Sequence, residues 1–294
     1  MDKYTFKKIN AFSDGTYKGN GAGLIYDNNL TNTNIMQKIA TEMEGFVSEV
    51  IYVKDGEKDI DFILKYYSCE TEVPFCGHGT LAAIYHIVEQ TPSLHNKLEI
   101  KVKTNRGILL IENRFEKEKT IYIHAPKKEI IESSINLDKL ADALNIEKIK
   151  INNNIPVVNY NAGQNSLLVC LKSAKDVLNC TPDYQTIREF CFDNNIAVIN
   201  IFSEDTINKL NDYRVRVFAP TFGYLEDTAT GSANSALGYY LKDINIWKKK
   251  NLVIEQGLDI DNPNLIYLST PENDNKKVMF GGKSQLKLEG IYYI

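Results

Sequence analysis

The 294-residue sequence is poor in the residue types that mark several classes of protein. Its five cysteines form no CxxC pair, so we expect reduced thiols rather than a disulfide framework. The four histidines have no zinc-type spacing to the cysteines, so no metal site is expected. The chain also lacks an apolar run of about 18 residues, which a membrane helix needs, and no membrane association is predicted.

Charge of one sign is not in excess, because 34 Lys and Arg face 38 Asp and Glu for a net charge of −4. Without a cluster of basic residues we predict no nucleic-acid partner. Residues 1–8 carry frequent charges and no apolar core, which is unlike an export signal. Together with the thiols, this start predicts a cytoplasmic protein.

Short runs of β-branched and aromatic residues dominate the chain and predict many strands, whereas helical periodicity is confined to a few segments. The predicted strands are 4–12, 23–26, 49–53, 60–67, 98–103, 108–112, 121–124, 157–160, 166–172, 196–202, 213–218, 252–255, 265–268, 278–280 and 286–293. The predicted helices are 35–43, 80–89, 137–144, 184–192 and 234–241. Residues 126–129 form the predicted seam between two halves.

A short internal repeat relates the two halves of the chain. Residues 72–79 read EVPFCGHG, and about half a chain later residues 226–233 read EDTATGSA. Each copy has an acid, three residues, a Cys or Thr, a Gly, and then a segment rich in Ala, Leu and Tyr. Small residues at a helix start leave backbone N–H groups open to an anion, which the helix dipole also favours. Two such starts facing one cleft would suit a small carboxylate; alternatively, Gly77 and Gly231 are only turn glycines.

Five blocks occur in a characteristic order: NAF at 10–12 with GN at 19–20, IATEM at 39–43 with SE at 48–49, EVPFCGH at 72–78, RVFAP at 216–220, and EDTATGS at 226–232. In this order they resemble the PhzF-like phenazine-biosynthesis isomerase family, a branch of the diaminopimelate epimerase fold. The resemblance covers residues 4–242 and is weaker beyond them.

The resemblance implies an α/β (α+β) fold of two pseudo-symmetric halves, each a barrel-like mixed sheet around a central helix. We expect halves at 1–126 and 127–277, with strands in 278–294 as a candidate completion of the first half. The active site would lie in the cleft between them. Family members are often homodimers, need neither metal nor organic cofactor, and isomerise small cyclic amino-acid-like carboxylates by moving a proton between carbons.

The resemblance assigns the acid/base role to Glu49, and partial burial would raise the pKa of this carboxyl group. His78 would orient the substrate or assist proton transfer, and Asp227 would bind a polar group such as an amine. Both could instead serve only their own turns. The remaining substrate-binding positions implied are Asn20, Gly77, Gly231 and Ser232.

Related epimerases place one thiol before each glycine, whereas this chain has Cys76 at the first position and Thr230 at the second. A threonine hydroxyl has a pKa too high for a ready second base, which disfavours a two-thiol racemase. Cys76 is expected to be a pocket wall. The spacing before Glu49 is about two residues longer than usual, so Glu44 remains a rival.

Two alternative functions stay open. One is an amino-acid epimerase that uses Cys76 with another base, and the other is a non-catalytic binding protein on the same fold. The remaining titratable side chains are predicted to be structural. These are His86, His95 and His124 as structural or surface residues, and Cys170, Cys180 and Cys191 in the core.

Overall fold

A computed structural model describes residues 2–13, 15, 18–29 and 32–294. Its strands are β1 (Lys3–Ala11), β2 (Asn20–Tyr26), β3 (Val50–Asp55), β4 (Phe62–Tyr67), β5 (Glu72–Val73), β6 (Glu99–Thr104), β7 (Gly107–Asn113), β8 (Ile121–His124), β9 (Glu129–Ile131), β10 (Val158–Asn161), β11 (Asn165–Cys170), β12 (Val198–Ser203), β13 (Tyr213–Phe218), β14 (Glu226–Asp227), β15 (Leu252–Gln256), β16 (Asn264–Ser269), β17 (Met279–Gly282) and β18 (Ser284–Tyr293). Its α-helices are α1 (Thr33–Glu42), α2 (Gly77–Gln90), α3 (Phe115–Glu118), α4 (Leu137–Leu144), α5 (Ala174–Leu178), α6 (Tyr184–Asp193) and α7 (Gly231–Asp243).

The chain divides into two compact units, of which the first holds Met1–His124 and Gly281–Ile294. Its strands form a mixed sheet in which β1 pairs antiparallel with β2, and β2 pairs parallel with β3. The sheet continues with β3 antiparallel to β4, β4 parallel to β6, and β6 antiparallel to β7. On its other side β1 pairs antiparallel with β18, so the end of the chain belongs to the first unit.

The second unit, Ala125–Phe280, repeats this pairing strand for strand. Strand β10 is antiparallel to β11, β11 parallel to β12, and β12 antiparallel to β13. Then β13 is parallel to β15, and β15 is antiparallel to β16. Here β9 occupies the place that β18 has in the first unit, because it pairs antiparallel with the opening strand β10. The α+β class and the two similar halves are therefore confirmed.

Each unit has a buried helix at its centre. Helix α2 packs against β1, β2, β3, β8 and β18, and α7 packs against β10, β11, β12 and β16. Both helices are buried almost all round, as expected for helices enclosed by protein rather than lying on a surface. Because each apolar side chain removed from water contributes about 1.5–3 kcal/mol, these helices anchor the two cores.

Amphipathic helices build a second core in each unit. In the first unit Met36 and Ile39 of α1 pack with Val50 and Tyr52 of β3. In the second, α4 and α6 supply a larger cluster that includes Cys180 and Cys191, while Cys170 is also buried. The three core cysteines are thus confirmed.

Several elements differ from the sequence-based expectation, including the short helices α3 and α5, which were not predicted. Strands β5 and β14 were missed because two-residue pairings leave no periodic pattern. Strand β9 begins within the predicted seam. Helices α2 and α7 begin at Gly77 and Gly231, three residues before the predicted starts, because a first helical turn tolerates glycine although glycine is a poor helix former. Among the helices of the described residues, none combines the length and apolar character that crossing a bilayer requires.

Candidate active site

The backbone around Glu49 is held against strand β2. The amide of Gly23 donates to the Glu49 carbonyl at 2.9 Å, and the amide of Ser48 donates to the Gly21 carbonyl at 3.2 Å. Asn20, the first residue of β2, accepts a 3.4 Å hydrogen bond from the Ser48 hydroxyl at its Oδ1. The predicted residues Asn20 and Glu49 therefore lie on neighbouring segments of one sheet.

Cys76 caps the buried helix α2. Its backbone is extended, and its Sγ accepts a 3.3 Å hydrogen bond from the Gly79 amide. The Thr80 hydroxyl donates to the Cys76 carbonyl at 2.7 Å and lies 2.7 Å from the hydroxyl of Tyr66. Cys76 therefore points into the first turn of α2, and the local hydrogen bonds leave it little freedom.

Glu49, Cys76 and His78 converge. The Nε2 atom of His78 lies 3.1 Å from Glu49 Oε2, and its Nδ1 atom lies 3.4 Å from Cys76 Sγ. One potential ligand atom from each residue lies within 4.8 Å of the others. The side chains of Glu49 and His78 are 21% and 13% exposed, and Cys76 is 6% exposed. Two residues predicted as catalytic thus meet Cys76, which was predicted as a pocket wall and, in the epimerase alternative, as a base.

The charges in this cluster are set by its own members. Burial alone lowers the pKa of His78, but Cys76 and Glu49 raise it well above its ordinary value. Burial, followed by the negative charge of Glu49, raises the pKa of the Cys76 thiol. The directions of these shifts favour an ionised Glu49 beside a protonated His78.

The expected raised pKa of Glu49 is wrong. Burial does raise it, but the charge of His78 and the close contacts with His78 and Cys76 outweigh burial and lower the pKa of this carboxyl group. The rival Glu44 is exposed and lies in the turn that follows α1, outside the cluster.

In the second unit, Asp227 and Thr230 belong to a hydrogen-bonded network around Gln256. The Thr230 hydroxyl donates to Asp227 Oδ2 at 2.6 Å, and the Thr230 amide donates to Gln256 Oε1 at 3.1 Å. Gln256 donates from Nε2 to the Asp227 carbonyl at 2.9 Å and to the Thr230 hydroxyl at 3.1 Å. Because the Thr230 hydroxyl already donates to Asp227, Thr230 fits a structural role better than that of a base.

Gln256 is the residue that sequence reasoning missed. It is fully buried, and its Oε1 also accepts a 2.7 Å hydrogen bond from Asn234 of α7. The only signal in the sequence is a polar residue directly after the predicted strand 252–255. Nothing in local spacing connects it to residues 226–234.

The glycines at the two helix starts are in different surroundings. Gly77 is half-buried, whereas Gly231 is buried and followed by the half-buried Ser232. A Cβ atom at Gly231 would lie 2.4 Å from ring carbons of Phe280. Glycine is therefore required at the start of α7 by packing, whatever else it does.

A family model and a sequence relative identify the family of this chain, and a solved structure shows the same fold. The sequence model of the phenazine biosynthesis-like proteins (PhzC-PhzF) matches residues 9–290. An uncharacterised isomerase of Clostridium acetobutylicum is 31% identical over 250 residues, which cover 81% of this chain and 79% of that protein. Trans-2,3-dihydro-3-hydroxyanthranilate isomerase of Pseudomonas chlororaphis is 26% identical over 88% of this chain and 87% of its own length. The crystal structure of a PhzF-family protein of Bacillus anthracis, 22% identical, superposes over the full length of both chains with a TM-score of 0.85.

Proposed function

This chain belongs to the phenazine biosynthesis-like protein family, and from that premise we propose that it is an isomerase which moves a proton between two carbons of a small carboxylate. The observation that carries the proposal is the pairing of Glu49 with His78 at the start of α2, with 3.1 Å between Oε2 and Nε2. A carboxylate and an imidazolium side by side provide a base and an acid in one place.

Glu49 is the base in this proposal. Its lowered pKa keeps it ionised at neutral pH, in the form that accepts a proton. The C–H bond of the substrate breaks, its electron pair moves into the conjugated system, and the proton goes to Glu49. The protonated carboxyl group, which is 21% exposed, exchanges its proton with solvent and then protonates a different carbon, so the enzyme ends in its starting state.

A base of low pKa removes a carbon-bound proton readily only where the resulting negative charge is stabilised. His78, with its raised pKa, donates a hydrogen bond to the oxygen that gains this charge. The N-terminus of α2 at Gly77 adds backbone dipoles of the same sign. This requirement favours a C–H bond activated by conjugation over the α-carbon of a simple amino acid.

Asp227, Gly231 and Ser232 are kept as the substrate-binding residues that the family resemblance implies, Asp227 for an amine and the start of α7 for a carboxylate. Asn20 shapes the pocket beside Glu49. As the family resemblance implies, the proposed reaction uses no organic cofactor.

The test is deuterium incorporation in heavy water, followed by mass spectrometry. The first compound to test is trans-2,3-dihydro-3-hydroxyanthranilate, because one relative is named as its isomerase. Other small cyclic carboxylates and common amino acids follow. We expect wild type to label a compound and Glu49→Gln to label it at least 100-fold more slowly, because a general base usually contributes about that factor to the rate.

The matched control is Glu44→Gln, which removes the same charge five residues away on an exposed turn and should label at the wild-type rate. Equal labelling by wild type and Glu49→Gln would refute the role of Glu49. Loss in Glu44→Gln alone would move the base to Glu44. An absence of labelling on every compound would favour a binding protein.

A second function, epimerisation, is favoured by one observation: Cys76 Sγ lies 3.4 Å from His78 Nδ1 and close to Glu49. An epimerase would place deuterium on one stereocentre and invert it. This outcome, if lost in Cys76→Ala, would replace the proposal above. The raised pKa of the Cys76 thiol argues against it, because the thiolate is the reactive form.

A further inference from the structure

The cluster of Glu49, Cys76 and His78 holds one carboxylate oxygen, one sulfur and one imidazole nitrogen within 4.8 Å of one another. We propose that these residues form a three-ligand site for a borderline-soft divalent cation, with Zn²⁺ the preferred ion, and that the bound ion inhibits isomerisation by taking the oxygen of Glu49. The inhibition rests on the proposed function, whereas the binding does not.

The separations between the donor atoms suit a tetrahedral ion. Zinc binds nitrogen and oxygen at about 2.0–2.2 Å and thiolate sulfur at about 2.3 Å, so neighbouring ligand atoms on a tetrahedron lie roughly 3.3–3.6 Å apart. Here His78 Nε2 lies 3.1 Å from Glu49 Oε2 and 3.8 Å from Cys76 Sγ, which is nearer to Nδ1 at 3.4 Å, so the His78 ring must turn for Nε2 to face both donors. The remaining separation, sulfur to carboxylate, is at most 4.8 Å, and the proposal requires the Glu49 side chain to rotate toward the sulfur.

The sulfur is held in place before any ion arrives. Cys76 Sγ accepts the Gly79 amide hydrogen bond at 3.3 Å, an interaction that stabilises a thiolate and fixes its direction. A Cβ atom at residue 79 would lie 3.0 Å from this sulfur and 2.6 Å from the end of Ile51, so glycine permits the close approach. The ion would therefore meet a ligand that is already oriented.

Access to the site and its ligand number also favour this assignment. Glu49 and His78 remain partly exposed, which leaves an approach for an ion and a fourth position for water. Sulfur with imidazole selects zinc-like ions over magnesium and calcium, which prefer oxygen ligands. Sequence spacing did not reveal the site, because Glu49 lies just before β3 and joins Cys76 and His78 only in the folded chain.

The test uses Co²⁺ as a coloured substitute for Zn²⁺ on the full-length protein after treatment with EDTA. We expect visible bands of tetrahedral Co²⁺ together with a thiolate-to-cobalt charge-transfer band, and we expect Zn²⁺ to displace both. Cys76→Ala should lose the charge-transfer band, and His78→Gln should bind Co²⁺ at least tenfold more weakly. Cys69→Ala is the matched control, because this cysteine lies outside the cluster, and its spectrum should equal that of wild type.

Absence of the charge-transfer band in wild type at saturating Co²⁺ would overturn the site, as would its persistence in Cys76→Ala. Far-ultraviolet circular dichroism checks that each variant is folded, and His78→Gln serves as the second variant if Cys76→Ala is not.

The inhibitory part is measured separately. Zn²⁺ should suppress deuterium labelling by wild type at least tenfold, and EDTA should restore it. Labelling that is unchanged by Zn²⁺ at concentrations that displace Co²⁺ would refute inhibition while leaving the site intact. If no compound is ever labelled, the cobalt spectra still decide whether the metal site exists.

Discussion

At the scale of single residues, His86 shows how far a side chain's chemistry depends on its neighbours. It is 4% exposed in α2, and its Nε2 lies 3.1 Å from Lys7 Nζ. Glu89 lies 4.0 Å from its Nδ1, and Glu289 pairs with Lys7 at 3.4 Å. Burial, followed by the charge of Lys7, lowers the pKa of His86 to about 4, while Glu289 opposes the shift. The prediction that His86 is structural agrees with this setting.

This histidine makes stability depend on pH. Its ordinary pKa is about 6.5, so between pH 6.5 and pH 4 the unfolded chain binds a proton that the folded protein refuses. The full contribution is present above pH 6.5 and is lost as pH falls toward 4, a change on the order of 2 kcal/mol. Urea unfolding of wild type at pH 7 and pH 4.5 should show this loss.

Comparison with two variants isolates the effect of His86. His86→Gln should lose less stability than wild type between these pH values by about that amount. His95→Gln, which alters a histidine elsewhere in the same unit, should follow wild type. If His86→Gln and wild type change equally with pH, the neutral buried histidine is not the cause.

At the scale of elements, the starts of α2 and α7 come from the same sequence pattern but use it differently. Helix α2 begins with Cys76 accepting a hydrogen bond from the backbone, and His78 then meets Glu49. Helix α7 follows Thr230, whose side chain makes no capping hydrogen bond and bonds to Asp227 and Gln256 instead. The first start carries the candidate acid/base chemistry, and the second is a rigid frame.

Gly231→Ala tests how tightly that frame is packed. Alanine favours a helix by up to about 1 kcal/mol over glycine, but its Cβ would lie 2.4 Å from the ring of the buried Phe280. Because overpacking costs typically 1–3 kcal/mol, we expect a net loss of about 1–2 kcal/mol in urea unfolding.

Gly290→Ala is the control, since nothing lies within 4 Å of a Cβ at that position. It should change stability by less than about 0.5 kcal/mol, as surface substitutions usually do. A Gly231→Ala protein as stable as wild type would show that Phe280 moves aside freely.

At the scale of the whole molecule, two copies of one pairing pattern are completed differently. The second unit takes β9 from the segment just before β10, whereas the first unit takes β18 from the end of the chain. Strand β18 pairs with β1 from Lys3↔Tyr293 to Ala11↔Ser284, with a bulge between Lys8 and Ile9. The first unit therefore depends on residues that follow the entire second unit.

Removal of residues 284–294 should affect the two units unequally. Amide hydrogen exchange of the β1 amides that face β18 should accelerate by at least tenfold, because the partner on one of the two edges of β1 is gone, while β10 keeps β9. Mass spectrometry of peptides from both strands measures this in one sample. Protection of β1 that survives the truncation, or equal loss in both strands, would contradict the assignment of β18.

Most of the fold was predictable from local patterns, and the site was predictable only in part. Strand β13 and helix α4 were predicted to the residue, because alternation and helical periodicity are local signals. The family motifs singled out Glu49 and His78 before any geometry was known. The pKa of Glu49 was predicted in the wrong direction, since burial was considered without the charge of His78.

By itself the sequence determined the number of strands within a few, the two central helices, and the family to which the chain belongs. These follow from periodicity and from short motifs, in which the residues that matter are close together along the chain. Only the tertiary structure decided that donor atoms of Glu49, Cys76 and His78 lie within 4.8 Å of one another, and that Gln256 ties Asp227 to Thr230. Such contacts join residues distant in sequence, and their charges depend on distances of a few ångströms that no local pattern encodes.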